Sequence, residues 1–260
     1  MVPVSLLALG REPFPPTVEI DGRSYALVRA FKHDFFAATA LYEGQSGRIV
    51  VKIGRRARFL GLPLRWAGRL LARHEADMYR RLADVKVVPR FVGMGGPDTI
   101  AHEYIEGHPL RKGEHVPDDF FARLAEALAV IHSRDIAYVD LEKCENVLVG
   151  EDGRPHLFDF QIAWFVPRRY GGSLPPARWL LRRLQRGDLY HIRKLRRRTR
   201  PDQLTPEELA ESYRRPFWLH AHRWLTWPLQ RIRRGVLKRV DPSHRCGADG
   251  ERGRVPEDAG

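Results

Sequence analysis

The sequence predicts an α+β protein of two lobes, a small antiparallel-sheet N-lobe followed by a mainly helical C-lobe. Three features carry that expectation. Short runs rich in β-branched and aromatic residues, punctuated by glycine-containing turns, dominate the chain before Gly107. One amphipathic helical stretch interrupts them. After Gly107, apolar residues recur at helical steps instead.

The elements follow in order. Residues 1–17 are proline-rich and aperiodic, and are expected to be a loose lead-in. The N-lobe is placed at 18–105. Strands are expected at 24–31, 37–42 and 48–53, the last two joined by Glu43-Gly44-Gln45-Ser46-Gly47. Over 64–82, Leu64, Leu71, Met78 and Leu82 recur among arginines, with Glu75 in the same run, so a helix is expected there. Strands at 87–92 and 99–105 complete a lobe of five strands and one helix.

The C-lobe is placed at 106–240. Pro117-Asp118-Asp119 opens a helix carrying Phe120, Phe121, Leu124, Leu128 and Ile131. Two short strands, 146–149 and 156–158, turn at Glu151-Asp152-Gly153. Helices are expected at 176–186, 188–198 and 206–213, the last with Thr205 as N-cap and Glu208 completing a capping box. The polar, glycine-rich segment 241–260 is expected to be disordered.

Composition bounds the function. At 260 residues, 43% of them apolar, the chain can bury a sizeable core. No run approaches the ~18 apolar residues of a membrane-spanning helix. The apolar run 4–9 is short and has no basic residue before it, which argues against a signal peptide. Cys144 and Cys246 are too few for a disulfide framework or a paired-cysteine zinc site, and suit a reducing cytoplasm. Lys and Arg total 45 against 32 Asp and Glu, a net charge of +13 that predicts attraction to polyanions.

Lys52 stands in the middle of the apolar run Val50-Val51-Lys52-Ile53, and Glu75 follows on the next helix. Taken alone, these read as a lysine reaching solvent from a sheet edge and an ordinary surface glutamate. Further on comes Tyr138-Val139-Asp140-Leu141-Glu142-Lys143-Cys144-Glu145-Asn146, then Leu157-Phe158-Asp159-Phe160-Gln161. This stretch resembles the catalytic loop and the Asp-Phe-Gly element of protein kinases, in the right order around a hairpin.

The resemblance implies an ATP-dependent phosphotransferase using Mg2+. It gives Lys52 the α- and β-phosphates, with Glu75 holding the lysine. It makes Asp140 the catalytic base, and Asn146 and Asp159 the Mg2+ ligands, with Glu145 as the alternative to Asn146. Lys143 would face the γ-phosphate and stabilise transferring charge. The Glu103 carbonyl and the Ile105 amide would hold the adenine edge, with His102 behind it.

Departures from the pattern are informative. The loop is one residue longer between Asp140 and Asn146 than in the family. Tyr138-Val139 replaces the His-Arg that receives an activation-loop phosphate, so no switch of that kind is expected. Phe31-Lys32-His33-Asp34-Phe35-Phe36-Ala37 stands where the family has a glycine-rich phosphate loop, and Lys32 or His33 would supply charge there. Within the superfamily the chain is most similar to the small kinases of the lipopolysaccharide core, acting on Kdo or heptose, and to RIO-like atypical kinases. The resemblance spans about residues 24–195.

The segment after Asp159 is short and has no Ala-Pro-Glu anchor, which favours a sugar or anionic glycolipid acceptor over a protein. Arg182, Arg183, Arg186, Arg193, Lys194, Arg196, Arg197, Arg198 and Arg200 could hold its phosphates, or simply form a solvated helix face. Trp218, Ala221, Leu225, Leu229, Ile232, Val236 and Val240 lie on one stripe beside arginines, open to two readings: peripheral contact with an anionic membrane, or packing on the C-lobe. The basic run has neither interleaved aromatics nor a reading motif, which argues against nucleic acid. Three functional readings stand: a kinase of lipopolysaccharide-type sugars, an atypical Ser/Thr protein kinase, and a pseudokinase or polyanion-binding scaffold.

Overall fold

The computed structural model describes residues 4–59, 61–167 and 174–213. The stripe at 218–240 and the segment 241–260 lie outside the described residues. The N-lobe strands are β1 (Thr17–Ile20), β2 (Arg23–His33), β3 (Ala37–Gly44), β4 (Gly47–Gly54) and a two-residue hairpin, β5 (Arg58–Phe59) and β6 (Leu62–Pro63). Helix α1 (Arg65–Arg81), β7 (Phe91–Gly96) and β8 (Thr99–Glu103) complete it. Then come β9 (Gly107–Pro109), α2 (Phe120–Ser133), β10 (Ile136–Ala137), β11 (Val147–Gly150), β12 (Pro155–Leu157), β13 (Trp164–Phe165), α3 (Pro175–Thr199) and α4 (Pro206–Tyr213).

The N-lobe sheet is antiparallel, in the order β1-β2-β3-β4-β8-β7. It has six strands rather than five, because Thr17–Ile20 pairs with Arg23–Ala26. The lead-in is correspondingly not loose. Ala8 and Leu9 are buried. The Ala8 N–H donates to Asp34 O at 2.8 Å, and Ala8 O accepts from the Arg56 and Ala57 amides at 2.8 and 2.9 Å. This segment therefore ties the β2–β3 turn to the chain leaving β4.

Strand β4 is central, and its pairing with β3 closes at Gly44 opposite Gly47. A Cβ on Gly44 would meet Ser24 O at 2.6 Å, so only glycine fits there. The strand expected at 87–92 begins later, at Phe91. The residues before it form turns instead, Val85 N–H to Leu82 O and Val88 N–H to Val85 O. The strand expected to reach residue 105 ends at Glu103.

The main core joins α1, α2, the segment from β10 to β12 and α3. Helix α2 buries Phe120, Phe121, Leu124, Leu128 and Ile131, the spacing its sequence predicts. Each such side chain contributes about 1.5–3 kcal/mol of burial. The helices expected at 176–186 and 188–198 are one continuous helix. Gly187 costs about 1 kcal/mol of helix propensity there. The buried Asp188, His191, Ile192 and Leu195 that follow it pack well enough to hold the helix through. At α4 the capping box is present, with Thr205 N–H to Glu208 Oε2 at 3.1 Å and Glu208 N–H to Thr205 Oγ1 at 3.2 Å.

Candidate active site

Lys52 is held at the middle of β4, between Thr39 on β3 and Ile100 on β8. Its ammonium lies 2.8 Å from Glu75 Oε2 and 2.6 Å from Asp159 Oδ1. A lysine at a sheet edge would reach water; this one bridges α1 to the turn after β12. Burial disfavours the ammonium, but the two carboxylates outweigh it and hold Lys52 above its ordinary pKa. One cation between two acids leaves a negative excess. Burial, with Asp159 adding to it, pushes Glu75 up to about 7 against the pull of Lys52. Asp159 is also opposed by burial, yet Lys52 brings its pKa below the ordinary value.

The loop expected to be catalytic follows β10. Lys143 Nζ and Asn146 Nδ2 both donate to Asp140 Oδ2, at 2.6 and 2.8 Å. Asn146 also donates to Asp140 O at 3.1 Å and is buried, whereas Glu145 is exposed. The extra loop residue is accommodated outward. Glu142 Oε1 lies 3.4 Å from the Lys194 ammonium on α3, while Lys143 turns to Asp140.

One residue carrying this geometry escapes a reading by motif. Asp188 is 1% exposed and is the only acid in α3. It accepts the Tyr138 and Val139 amides at 2.8 and 2.7 Å, and its Oδ2 lies 3.0 Å from His132 Nε2. Val139 has φ 73°, a left-handed conformation that is strained for a β-branched side chain. Asp188 holds that strained turn in place, and Asp140 is the next residue. A lone acid in an arginine-rich helix was the available signal.

A column of rings connects the two lobes. His102 stacks on Tyr79 at 5.3 Å, Tyr79 meets Phe160 edge-on at 5.3 Å, and Phe160 meets Tyr138 edge-on at 5.1 Å. The Tyr138 hydroxyl donates to Phe158 O. Phe160, the residue after Asp159, is thereby fixed between the lobes, and Asp159 itself sits at φ 63°. His74 Nε2 adds a bond to Ala163 O at 2.8 Å, tying α1 to the same segment.

The residues expected at the base edge are placed less simply. His102 Nδ1 donates to Glu103 O at 2.9 Å, so one lone pair of that carbonyl is already engaged. Burial lowers the His102 pKa to about 4, making it a neutral ring. The Ile105 amide has no backbone partner among the described residues.

The turn between β2 and β3 departs furthest from a phosphate loop. Asp34 Oδ1 accepts the Phe36 and Ala37 amides at 2.9 and 3.0 Å, so these two donors are capped by their own chain. Asp34 Oδ2 lies 3.2 Å from Lys32. Lys32 pairs with Thr39, and Thr39 with Lys52, across adjacent strands. Directly opposed residues share a face, so Lys32 lies in one row with Lys52.

No protein-family model and no curated protein sequence matches the chain. Its fold is similar to that of the Rio2 kinase from Chaetomium thermophilum, solved as an ADP/Mg2+-phosphoaspartate complex. The TM-score is 0.50 at 14% identity, over 72% of this chain and 62% of that one. A second structure of Rio2 kinase from the same organism matches at TM-score 0.49 and 18% identity, over 66% of this chain and 58% of that one. The chain thus spans less than two thirds of either. The likeness is one of fold: two lobes of protein-kinase-like architecture, with an antiparallel-sheet N-lobe and a helical C-lobe.

Proposed function

We propose that this chain, built on a protein-kinase-like fold, is an ATP- and Mg2+-dependent phosphotransferase acting on a hydroxyl of a lipopolysaccharide-type sugar or similar anionic glycolipid. The observation that carries the reading is the Lys52 ammonium set between Glu75 and Asp159, with Asp140, Lys143 and Asn146 clustered on the adjoining loop. A scaffold without chemistry has no need of a buried cation bridging two acids from separate elements.

The donor chemistry fits the implied groups. Asp159 and Asn146 present hard oxygen donors of the kind Mg2+ takes alongside phosphate oxygens. Bound to the triphosphate, Mg2+ supplies positive charge against the phosphate oxygens. Lys52 places its ammonium on the α- and β-phosphates, with Glu75 keeping it there. The Ile105 amide and the remaining lone pair of the Glu103 carbonyl are the donor and acceptor for the base edge. Because the Phe36 and Ala37 amides are engaged by Asp34, phosphate binding at this turn falls to the Lys32 side chain. Asp140 orients the acceptor hydroxyl and takes up its proton, and Lys143 stabilises charge during transfer.

The glycolipid acceptor rests on the short segment after Asp159 and on the exposed arginines of α3, Arg182, Arg186 and Arg193. The likeness to Rio2 favours a second reading, an atypical Ser/Thr protein kinase. Incubating the chain with Mg2+ and γ-labelled ATP, in the presence of a glycolipid extract and of a protein fraction, separates the two. Label entering the glycolipid is expected; label entering only protein refutes the glycolipid reading.

A further inference from the structure

Helix α1 carries large apolar residues on its outer side as well as its inner one. Its inner side buries Ala72, Glu75, Ala76 and Tyr79. Opposite them, one turn apart, stand Trp66 and Leu70, which are 60% and 56% exposed. Leu62, in the hairpin that leads into the helix, is 62% exposed. The next residue on the stripe, His74, is bonded to Ala163 O, and the neighbours of Ala163, Ile162 and Trp164, are 51% and 45% exposed. A ridge of large apolar side chains thus leads from the hairpin along α1 to the segment that follows Asp159.

The exposed charge beside the hairpin and the first turns of the helix is positive, whereas Asp77, one turn beyond His74, is paired with Arg81 at 2.7 Å. Arg58, Arg65, Arg69 and Arg73 are exposed. Arg65 also reaches Asp98 at 3.5 Å. From Arg55 to Arg73 the chain contains no Asp or Glu. Exposed tryptophan and leucine set among arginines is the composition of a helix lying in a membrane interface, where the rings enter the headgroup boundary and the cations meet lipid phosphates. An acidic protein surface would satisfy the arginines but gives no reason for Trp66, Leu70 and Trp164 to stand clear of the core together.

We infer that the outer face of α1, with Leu62, Trp66, Leu70, Ile162 and Trp164 at its centre and Arg58, Arg69 and Arg73 around them, docks on an anionic lipid surface. This deepens the proposed function, on which it rests for the acceptor: a chain seated there meets a glycolipid where it resides. Vesicle binding itself needs no catalysis, so the two fail separately.

The test is flotation of the full chain with phosphatidylglycerol-containing vesicles and with phosphatidylcholine vesicles, alongside a fluorescent-nucleotide titration of the same preparation. Flotation with the anionic vesicles only is expected. It should weaken with salt and fall about tenfold in Trp66→Ser/Leu70→Ser. Arg69→Gln/Arg73→Gln should lose anionic selectivity, and both variants should keep nucleotide affinity and melting temperature. Equal flotation of Trp66→Ser/Leu70→Ser and the unaltered chain overturns the inference. So does absence of flotation from a chain that binds nucleotide, which would assign the ridge to a protein partner or to another segment of this chain and leave the phosphotransfer reading standing. Flotation without nucleotide binding supports the docking face and removes the phosphotransfer reading instead.

Discussion

Lys143 donates to the Asp140 carboxylate at 2.6 Å, within a loop one residue longer than the kinase pattern it resembles. The added residue is absorbed by Glu142 turning toward Lys194 on α3, so the lysine and the asparagine both converge on Asp140. A half-exposed ammonium in that position can move between Asp140, the proposed base, and an incoming phosphate.

Lys143→Met is therefore expected to lower kcat by about 10²–10³, with the KM for ATP changed only a few-fold, and Lys143→Arg should recover part of the loss. Steady-state kinetics of the three proteins check this. Undiminished turnover in Lys143→Met would reduce Lys143 to an ion-pair partner.

Glu75 carries the pH dependence. Its pKa is pushed from 4.5 up to about 7, first by burial and then by Asp159 working against Lys52. Carboxyl NMR of the nucleotide-free chain should show Glu75 titrating near that value, and Asp159→Asn should lower it. The sign for stability follows: a raised carboxylate binds its proton better in the fold. Its contribution is full below about pH 4.5 and declines as pH rises to about 7. Urea midpoints across that window should show the slope flattened in Glu75→Gln.

Removing Asp188 leaves the buried Tyr138 amide and the half-buried Val139 amide without an acceptor and releases the strained φ of Val139. Asp188→Ala should lose about 3 kcal/mol by urea unfolding. Asp188→Asn keeps the shape but presents an amide donor to one of these N–H groups. It should lower kcat while leaving nucleotide affinity close to unaltered, a split that a purely structural residue would not produce.

Lys32 is expected to weaken triphosphate binding about tenfold when replaced by alanine, the loss of one charge-assisted bond. AMP, which lacks the outer phosphates, should bind both proteins alike. Calorimetry with an unhydrolysable triphosphate and with AMP tests it. Equal loss for both nucleotides would place Lys32 elsewhere.

Much of this was legible in sequence. Lys52 in an apolar strand, then Glu75, Asp140, Asn146 and Asp159 in order, marked the elements that meet at the candidate site, Lys52 with Glu75 and Asp159 and Asn146 with Asp140. Thr205 and Glu208 named their own helix start. What was not legible depends on contacts between distant segments. Asp188 finds its partners on a loop fifty residues earlier, and nothing local marks it beyond being a lone acid. Ala8 and Leu9 are ordered by the β2–β3 turn, not by any periodicity of their own. Gly187 reads as a helix boundary because propensity is local, whereas the packing of α3 that overrides it is not. Asp34 capping its own turn follows from an aspartate two and three residues before the Phe36 and Ala37 amides, a local signal that glycine content does not carry.

The most direct test of phosphotransfer through this centre is turnover of labelled ATP by the unaltered chain and by Asp140→Asn under saturating Mg2+ and acceptor. A fall of about 10²–10⁴ in kcat, with nucleotide affinity retained, is predicted for loss of the base. Unchanged turnover in Asp140→Asn would contradict the assignment of Asp140, and with it the account of the site.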